Sequence, residues 1–259
     1  MKVGVCIKQV PMADGKISVS NGVLDASVYE KTILNPYDEC ALEEAIQWKN
    51  KGVVSEIVAF SFDNDSKSLQ DHLRTALAKG ADRAVVIDGN AQGNDSVAVA
   101  KVLAAFCKKE ALQIVFCGAA STDIASAQIP AMLGELLDYA QVSAITSLEL
   151  TASDFTARAD IGMNQQAVTK GSVPAVLSCD KSLNTPKNPK IKDKQAAKNK
   201  PLDVLPVADL GVATPANTVE FANWSLPMQR SECKFIPADN IEQAVSELLG
   251  LLKHEAKVL

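Results

Sequence analysis

The chain has 259 residues, 47% hydrophobic and 22% charged, the balance of a globular protein with a substantial core. A formal net charge of −5 argues against general nucleic-acid binding, because no cationic excess is available to displace counterions from phosphates. No apolar run approaches the roughly 18 residues that a spanning helix needs, so membrane insertion is not expected.

Val3 to Val10 (Val-Gly-Val-Cys-Ile-Lys-Gln-Val) reads as one buried strand ended by Pro11. Between Asp14 and Glu30, a short β-like piece at Lys16–Ser20 meets the turn pair Asn21-Gly22. Asn35-Pro36-Tyr37-Asp38-Glu39 then marks a helix start. Asn35 is a capping residue, Pro36 suits the first helical position, and Asp38 is placed to reach back to the Asn35 N–H. Ala41, Leu42, Ala45, Ile46 and Trp48 follow at helical spacing, and the helix is expected to run to about Lys51 and stop at Gly52. Such a helix end can receive a phosphate, although Asp38 and Glu39 compete with an anion; a capped structural helix also explains the pattern.

Glu56–Ser61 is a second strand, followed by a helix from about Ser66 to Lys79 that Gly80 stops. Arg83–Asp88 is a third strand, and Asn94 is expected to cap a helix through about Lys109. Gln113–Cys117 is a fourth strand, followed at once by Gly118, with Ser121, Thr122 and Asp123 ahead of a helix to about Asp138. Short apolar strands alternating with helices predict an α/β fold, a doubly wound and mostly parallel sheet. In such sheets ligands bind outside the carboxyl ends of the strands, where strand order reverses. The loops after strands one, two and four would bring Cys6, Phe62 and the Gly118 loop near the Asn35 helix, as one charge-poor nucleotide pocket. Gly118 lets the backbone turn closely beneath a ligand, while Ser121, Thr122, Ser126 and Gln128 supply polar groups. With Asp38 repelling phosphate, the Asn35 wall is expected to face the adenosine part and the Gly118 loop the phosphate.

After Tyr139 the rhythm changes to short strands at Val142–Leu150, Phe155–Ile161, Gln166–Thr169 and Ala175–Cys179, a β extension or further strands of the same sheet. Residues 1–180 are read as a nucleotide-binding α/β domain and residues 181–259 as an arm. The arm opens with a segment holding Lys181, Lys187, Lys190, Lys192, Lys194, Lys198 and Lys200 around Ile191. This is a solvated loop or a docking loop for an acidic partner, with Ile191 as its apolar anchor. Pro201 to Asn223 reads as extended chain, and Asn240–Lys253 as an amphipathic helix. Six cysteines without a Cys-x-x-Cys pair suit a reduced compartment and buried thiols, and two histidines give little basis for a histidine metal site or triad. Met1-Lys2 leads directly into strand pattern with no signal or transit segment, so a cytoplasmic setting is expected.

Taken together, Val5-Cys6-Ile7-Lys8-Gln9-Val10, Asn35-Pro36-Tyr37-Asp38-Glu39 with Ala41-Leu42-Glu43-Glu44-Ala45, and Leu73 to Ala84 resemble the small (beta) subunit of the electron transfer flavoproteins. Gly118 with Asp123 and Gln128, Pro174-Ala175-Val176-Leu177 and Gln229-Arg230 extend the resemblance over nearly the whole chain. It implies an adenine-nucleotide alpha-hydrolase-like sheet and a heterodimer with a larger alpha subunit that holds most of the FAD. AMP would occupy a pocket of this subunit, surrounded by Cys6, Asn35, Pro36, Tyr37, Asp38, Phe62 and the loop Gly118 to Ile129. Within that loop the correspondence covers Ser121, Thr122, Asp123, Ser126, Ala127 and Gln128. Tyr37 would stand beside the dimethylbenzene edge of the partner's flavin, and Ile191 where a leucine of the family's recognition loop grips dehydrogenases. The implied function is an electron carrier without catalytic residues of its own, passing electrons from flavin dehydrogenases to a membrane quinone oxidoreductase. The alternatives are a bifurcating type with a second FAD in place of AMP, and a non-redox regulatory module that binds an adenine nucleotide. The chain departs from the family at Ala119-Ala120, where Lys-Gln is usual, at Phe62-Asp63, where Cys-Gly is common, and at Lys187-Asn188, where Arg-Tyr is expected.

Overall fold

The computed structural model describes residues 1–12, 17–89, 95–212, 219, 222–228 and 233–259. Its contacts divide the chain into Met1–Trp224 and Ser225–Leu259. The first unit begins with β1 (Lys2–Cys6), β2 (Gln9–Pro11), β3 (Val19–Ser20), β4 (Val23–Leu24) and β5 (Thr32–Leu34). There follow α1 (Pro36–Asn50), β6 (Glu56–Asp63), α2 (Lys67–Lys79), β7 (Arg83–Asp88), α3 (Ser96–Lys109), β8 (Ile114–Gly118) and α4 (Ile129–Leu137). Then come β9 (Ala140–Leu150), β10 (Asp154–Gly162), β11 (Gln165–Ser172), β12 (Ala175–Cys179), α5 (Ile191–Ala197) and β13 (Leu202–Pro206).

Nine strands form the main sheet in the order β11-β10-β9-β12-β8-β1-β6-β7-β13. All neighbours run parallel except β10, which is antiparallel to both β9 and β11. The chain starts in the middle at β1, steps outward to β6 and β7, then returns across β1 to β8. Crossovers keep one hand, so reversing the direction of travel places the later helices on the opposite face. Accordingly α1 and α2 bury Leu42, Trp48, Leu69 and Leu73 with Val3, Val5, Ile114 and Phe116. On the other face α3 and α4 bury Phe106, Cys107 and Leu133 with Phe60, Val115 and Cys117. The β1/β8 boundary is therefore the switch point.

Local chemistry explains the element ends. Ser66 accepts the Leu69 N–H at 3.2 Å to start α2, and Gly80 ends it at φ +149°, where a side chain would press on Ile46. Asn21 and Gly22, both at positive φ, close the β3–β4 hairpin as their sequence predicts.

Several elements differ from the sequence expectation. The strand expected over Val3–Val10 breaks after Cys6, because the Lys8 N–H is taken by the Asp38 carboxylate and Gln9–Pro11 pairs antiparallel with β5. Of the β-like piece at Lys16–Ser20, only Val19 and Ser20 are strand, and Lys16 lies outside the described residues. The cap expected at Asn94 also lies outside them, and Asp95 caps α3 through the Ala98 N–H at 2.7 Å. The helix after Ser121-Thr122-Asp123 starts only at Ile129, because the intervening backbone turns through Ala125 and Ala127, both at φ +54°. The strands after Tyr139 belong to the main sheet, with β12 inside it between β8 and β9.

The extended chain expected from Pro201 opens as β13, parallel to β7, and residues 181–212 pack in the first unit. Arg74 donates to the carbonyls of Ala197 and Lys200, while the Lys200 ammonium binds those of Leu77 and Ala81. In the second unit, α6 (Ile241–His254) is capped by Asn240, and its Ile241, Val245, Leu248 and Leu249 are exposed.

Candidate functional site

A cavity of about 1170 Å³ opens at the switch point, at the carboxyl ends of β1, β6 and β8. β1 contributes Cys6 with Ile7, Lys8 and Gln9 beyond it, β6 contributes Ser61, Phe62 and Asp63, and β8 contributes Cys117 and Gly118. Asn35 and Asp38 enter from the start of α1, Asp95, Ser96 and Val99 from the start of α3, and the 119–128 loop closes one side.

Asp38 holds this floor together. One carboxylate oxygen accepts the Lys8 N–H at 2.8 Å and the other accepts the Gly118 N–H at 2.9 Å, so the side chain ties the end of β8 to the chain leaving β1. A Cβ on Gly118 would collide with Asp38 Oδ1 and stand 2.7 Å from Tyr37 Cβ, which is why the position carries no side chain. Burial pushes the Asp38 carboxyl up to about 7, against the opposing pull of the Lys8 N–H, the Asn35 side chain, the Gly118 N–H and the Lys8 charge. Asp38 therefore does not reach back to the Asn35 N–H, which donates instead to Lys8 O at 2.9 Å.

Asn35 does not cap α1 through its side chain either. Its Nδ2 donates to Ala120 O at 2.9 Å, and its Oδ1 is buried without a hydrogen-bond partner among the described residues. A buried carbonyl oxygen at a cavity wall is an acceptor available to a ligand donor.

Lys8 reaches across the cavity mouth to Asp123 at 2.7 and 2.9 Å and to Ser121 Oγ at 3.5 Å. Burial alone would raise the Asp123 carboxyl, but hydrogen bonds from Lys8 and Ser121 together with the Lys8 charge hold it below its ordinary range. The expected charge-poor pocket is corrected here: Asp38, Asp63, Asp95 and Asp123 line it with Lys8. Some of these carboxylates are engaged by protein donors. Asp63 accepts from Gln9 Nε2 at 3.0 Å, and Asp95 is the α3 cap.

Of the residues expected at the site, the structure brings Cys6, Asn35, Asp38, Phe62, Gly118, Ser121, Asp123, Ser126, Ala127, Gln128 and Ile129 to the cavity. Pro36, Tyr37 and Thr122 are not on its lining. Pro36 occupies the first turn of α1, Thr122 is exposed, and Tyr37 is half-buried with the Lys181 ammonium 4.5 Å from its ring centre. Ile191 opens α5, away from the lining and 78% exposed. Sequence reasoning missed Lys8, Gln9 and Asp63, although they lie within three residues of Cys6 or Phe62. It also missed Tyr29, Asp95 and Trp224, for which no local signal exists.

The fold and this crevice define a doubly wound α/β protein with a polar cavity at its switch point, of the class whose crevices take ligands beyond the strand ends. Residues 26–210 match the family model described as electron transfer flavoprotein domain. Over its full length the chain is 36% identical to electron transfer flavoprotein subunit beta of Syntrophomonas wolfei, covering 98% of that protein. It is 32% identical to the same subunit of Bacillus subtilis, with both chains wholly covered. It is 31% identical to that of Mus musculus over 88% of this chain and 89% of the other. The chain belongs to the electron transfer flavoprotein family as a beta subunit, which gives it an electron-transfer role. No helix among the described residues is long and apolar enough to cross a membrane.

Proposed function

We propose that this chain is the cytoplasmic beta subunit of a heterodimeric electron carrier, with AMP in the switch-point cavity and FAD held mainly by a larger alpha subunit. The observation that carries the reading is the cavity itself, whose polar lining converges from three crossovers and includes Asn35 Oδ1, which has no hydrogen-bond partner among the described residues. That acceptor suits an amino or hydroxyl donor of the adenosine part. Lys8, Ser121, Ser126 and Gln128 supply donors for the phosphate end, and Asp38 lies on the α1 side, away from it. The residues thus fit a nucleotide whose base and sugar lie against α1. When bound by the partner, the flavin supplies the redox chemistry; this chain's part is to hold the complex in register, with Tyr37 at the flavin's border. Electrons pass from flavin dehydrogenases, gripped through Ile191 and its lysine-rich surroundings, to an acceptor such as a membrane quinone oxidoreductase.

A second reading rests on volume. About 1170 Å³ lies above the range of about 300–1,000 Å³ usual for small-ligand sites, so a second FAD in the same cavity, as in bifurcating members, is the competing assignment. Mass spectrometry of cofactors released from the purified heterodimer decides between them. One AMP and one FAD per complex is the expected result, two FAD molecules without AMP establishes the second reading, and no flavin after co-expression with the larger subunit overturns both.

A further inference from the structure

The cavity floor holds a pair of thiols that the electron-carrier role does not use. β1 and β8 run parallel with Val3 beside Ile114, Gly4 beside Val115 and Val5 beside Phe116. One further step in this register sets Cys6 beside Cys117, both still within their strands. The alternation of a strand puts them on one face, the one packed against α3 and α4, and among the described residues they are the two cysteines that line the cavity. Adjacent strands are about 4.8 Å apart, inside the Cα separation of roughly 4.4–6.8 Å that disulfides bridge. Cys117 is buried in the cluster under α3 and α4, and Cys6 packs against the same cluster.

We propose that Cys6 and Cys117 form a cross-strand dithiol that a hydroperoxide entering the cavity oxidises to an intramolecular disulfide. Cys6 is the attacking group because it is the more exposed of the two; Cys117 is 3% exposed, and the neighbouring Cys6 side chain together with burial pushes its thiol well above the ordinary range. The Cys6 thiolate attacks the peroxide O–O bond, becoming a sulfenic acid as the alkoxide or hydroxide leaves. The Cys117 sulfur then attacks the Cys6 sulfur, and its proton leaves with the sulfenic oxygen as water. Two thiols and one hydroperoxide give one disulfide, one alcohol or water molecule and one further water, with two electrons passing to the peroxide. The other thiols are placed differently: Cys107 and Cys179 are buried off the cavity, Cys40 points to the Lys181 and Asn184 carbonyls, and Cys233 is exposed.

The test treats the purified full-length chain with hydrogen peroxide, with Cys233→Ser to suppress cross-links between molecules. Non-reducing peptide mapping should recover one Cys6–Cys117 peptide, with two thiols lost and restored by dithiothreitol. Cys117→Ser should instead leave Cys6 as a sulfenic acid that dimedone traps. Recovery of both residues as free thiols, under conditions that oxidise Cys233 in the parent chain, would overturn the proposal, as would pairing of either with Cys107. The parent map alone decides if Cys117→Ser fails to fold. Saturating AMP should slow the cross-link; an unchanged rate would count against AMP in the cavity while leaving the disulfide established.

Discussion

Asp38→Asn isolates the group that ties the cavity floor together. A carboxyl raised from its ordinary 3.8 to about 7 binds its proton more tightly in the folded chain than in the unfolded one. Its contribution to stability is therefore full below pH 3.8 and is lost as pH rises to about 7. A change of about three pH units corresponds to about 4 kcal/mol, at roughly 1.4 kcal/mol per unit, across that window. Asparagine keeps one acceptor and cannot ionise. It leaves either the Lys8 or the Gly118 N–H without its partner, a cost of about 1–3 kcal/mol that does not vary with pH. The variant should thus be less stable than wild type near pH 4.5. Its deficit should shrink by about 3 kcal/mol by pH 8, because the wild type alone carries a buried charge there. Urea unfolding of both proteins between pH 4.5 and 8 reads this directly. Parallel stability profiles across that range would show that Asp38 titrates as an ordinary carboxyl and refute the account of the floor.

Gly118→Ala should destabilise the chain by about 1–3 kcal/mol in thermal unfolding, since the new methyl meets Asp38 and Tyr37; an unchanged midpoint would mean the floor yields easily. Lys8→Met should let the Asp123 carboxyl rise toward its ordinary range. A carboxyl held low contributes stability above its unfolded value and loses it on acidification, so the variant should lose less stability than wild type as pH falls from about 5 to 3; identical acid slopes in urea unfolding would contradict this. Ile191→Ala should slow reduction of the complex by a flavin dehydrogenase, by about tenfold if the residue is an anchor, without loosening AMP; equal reduction rates in stopped-flow measurements would remove Ile191 from that role.

Much of the architecture is legible because local patterns carry it. Apolar runs of strand length, Gly80 after an amphipathic segment and Ser66 before it each determine their own element without reference to distant residues. The candidate site is legible as far as it consists of residues beside strand ends, such as Cys6, Phe62 and Gly118. What could not be read is where side chains turn. Asn35 and Asp38 have the spacing of a capping pair, yet both point inward to partners 85 and 80 residues away, Ala120 O and the Gly118 N–H. Nothing in the local pattern separates these outcomes, since the same short polar side chains suit either. β13 was hidden for another reason: a strand at a sheet edge with Pro206 inside it has half-exposed positions and weak alternation.

The position of Asp38 on α1 connects the cavity floor with the lysine-rich segment. Five and six residues further along the helix, Glu43 and Glu44 are buried as well, each 5% exposed. Glu43 accepts the Lys187 N–H at 3.2 Å, and Glu44 accepts from Asn184 Nδ2 at 3.0 Å and from the Trp48 indole at 2.7 Å. The same Asn184 amide donates to the Cys40 carbonyl, and Lys79 donates to Lys187 O. The first part of the lysine-rich segment is thus fastened to the helix whose first turn fastens the cavity floor. Buried carboxylates are tolerated on α1 because each is matched by donors fixed elsewhere in the chain. This also explains why the helix shows little amphipathic contrast although it lies against the sheet: Asp38, Glu43 and Glu44 are inside, used as anchors. The Ile191 surface and the cavity are consequently held by one rigid element at two separate points, so Ile191→Ala can alter docking while the Asp38 tie remains intact.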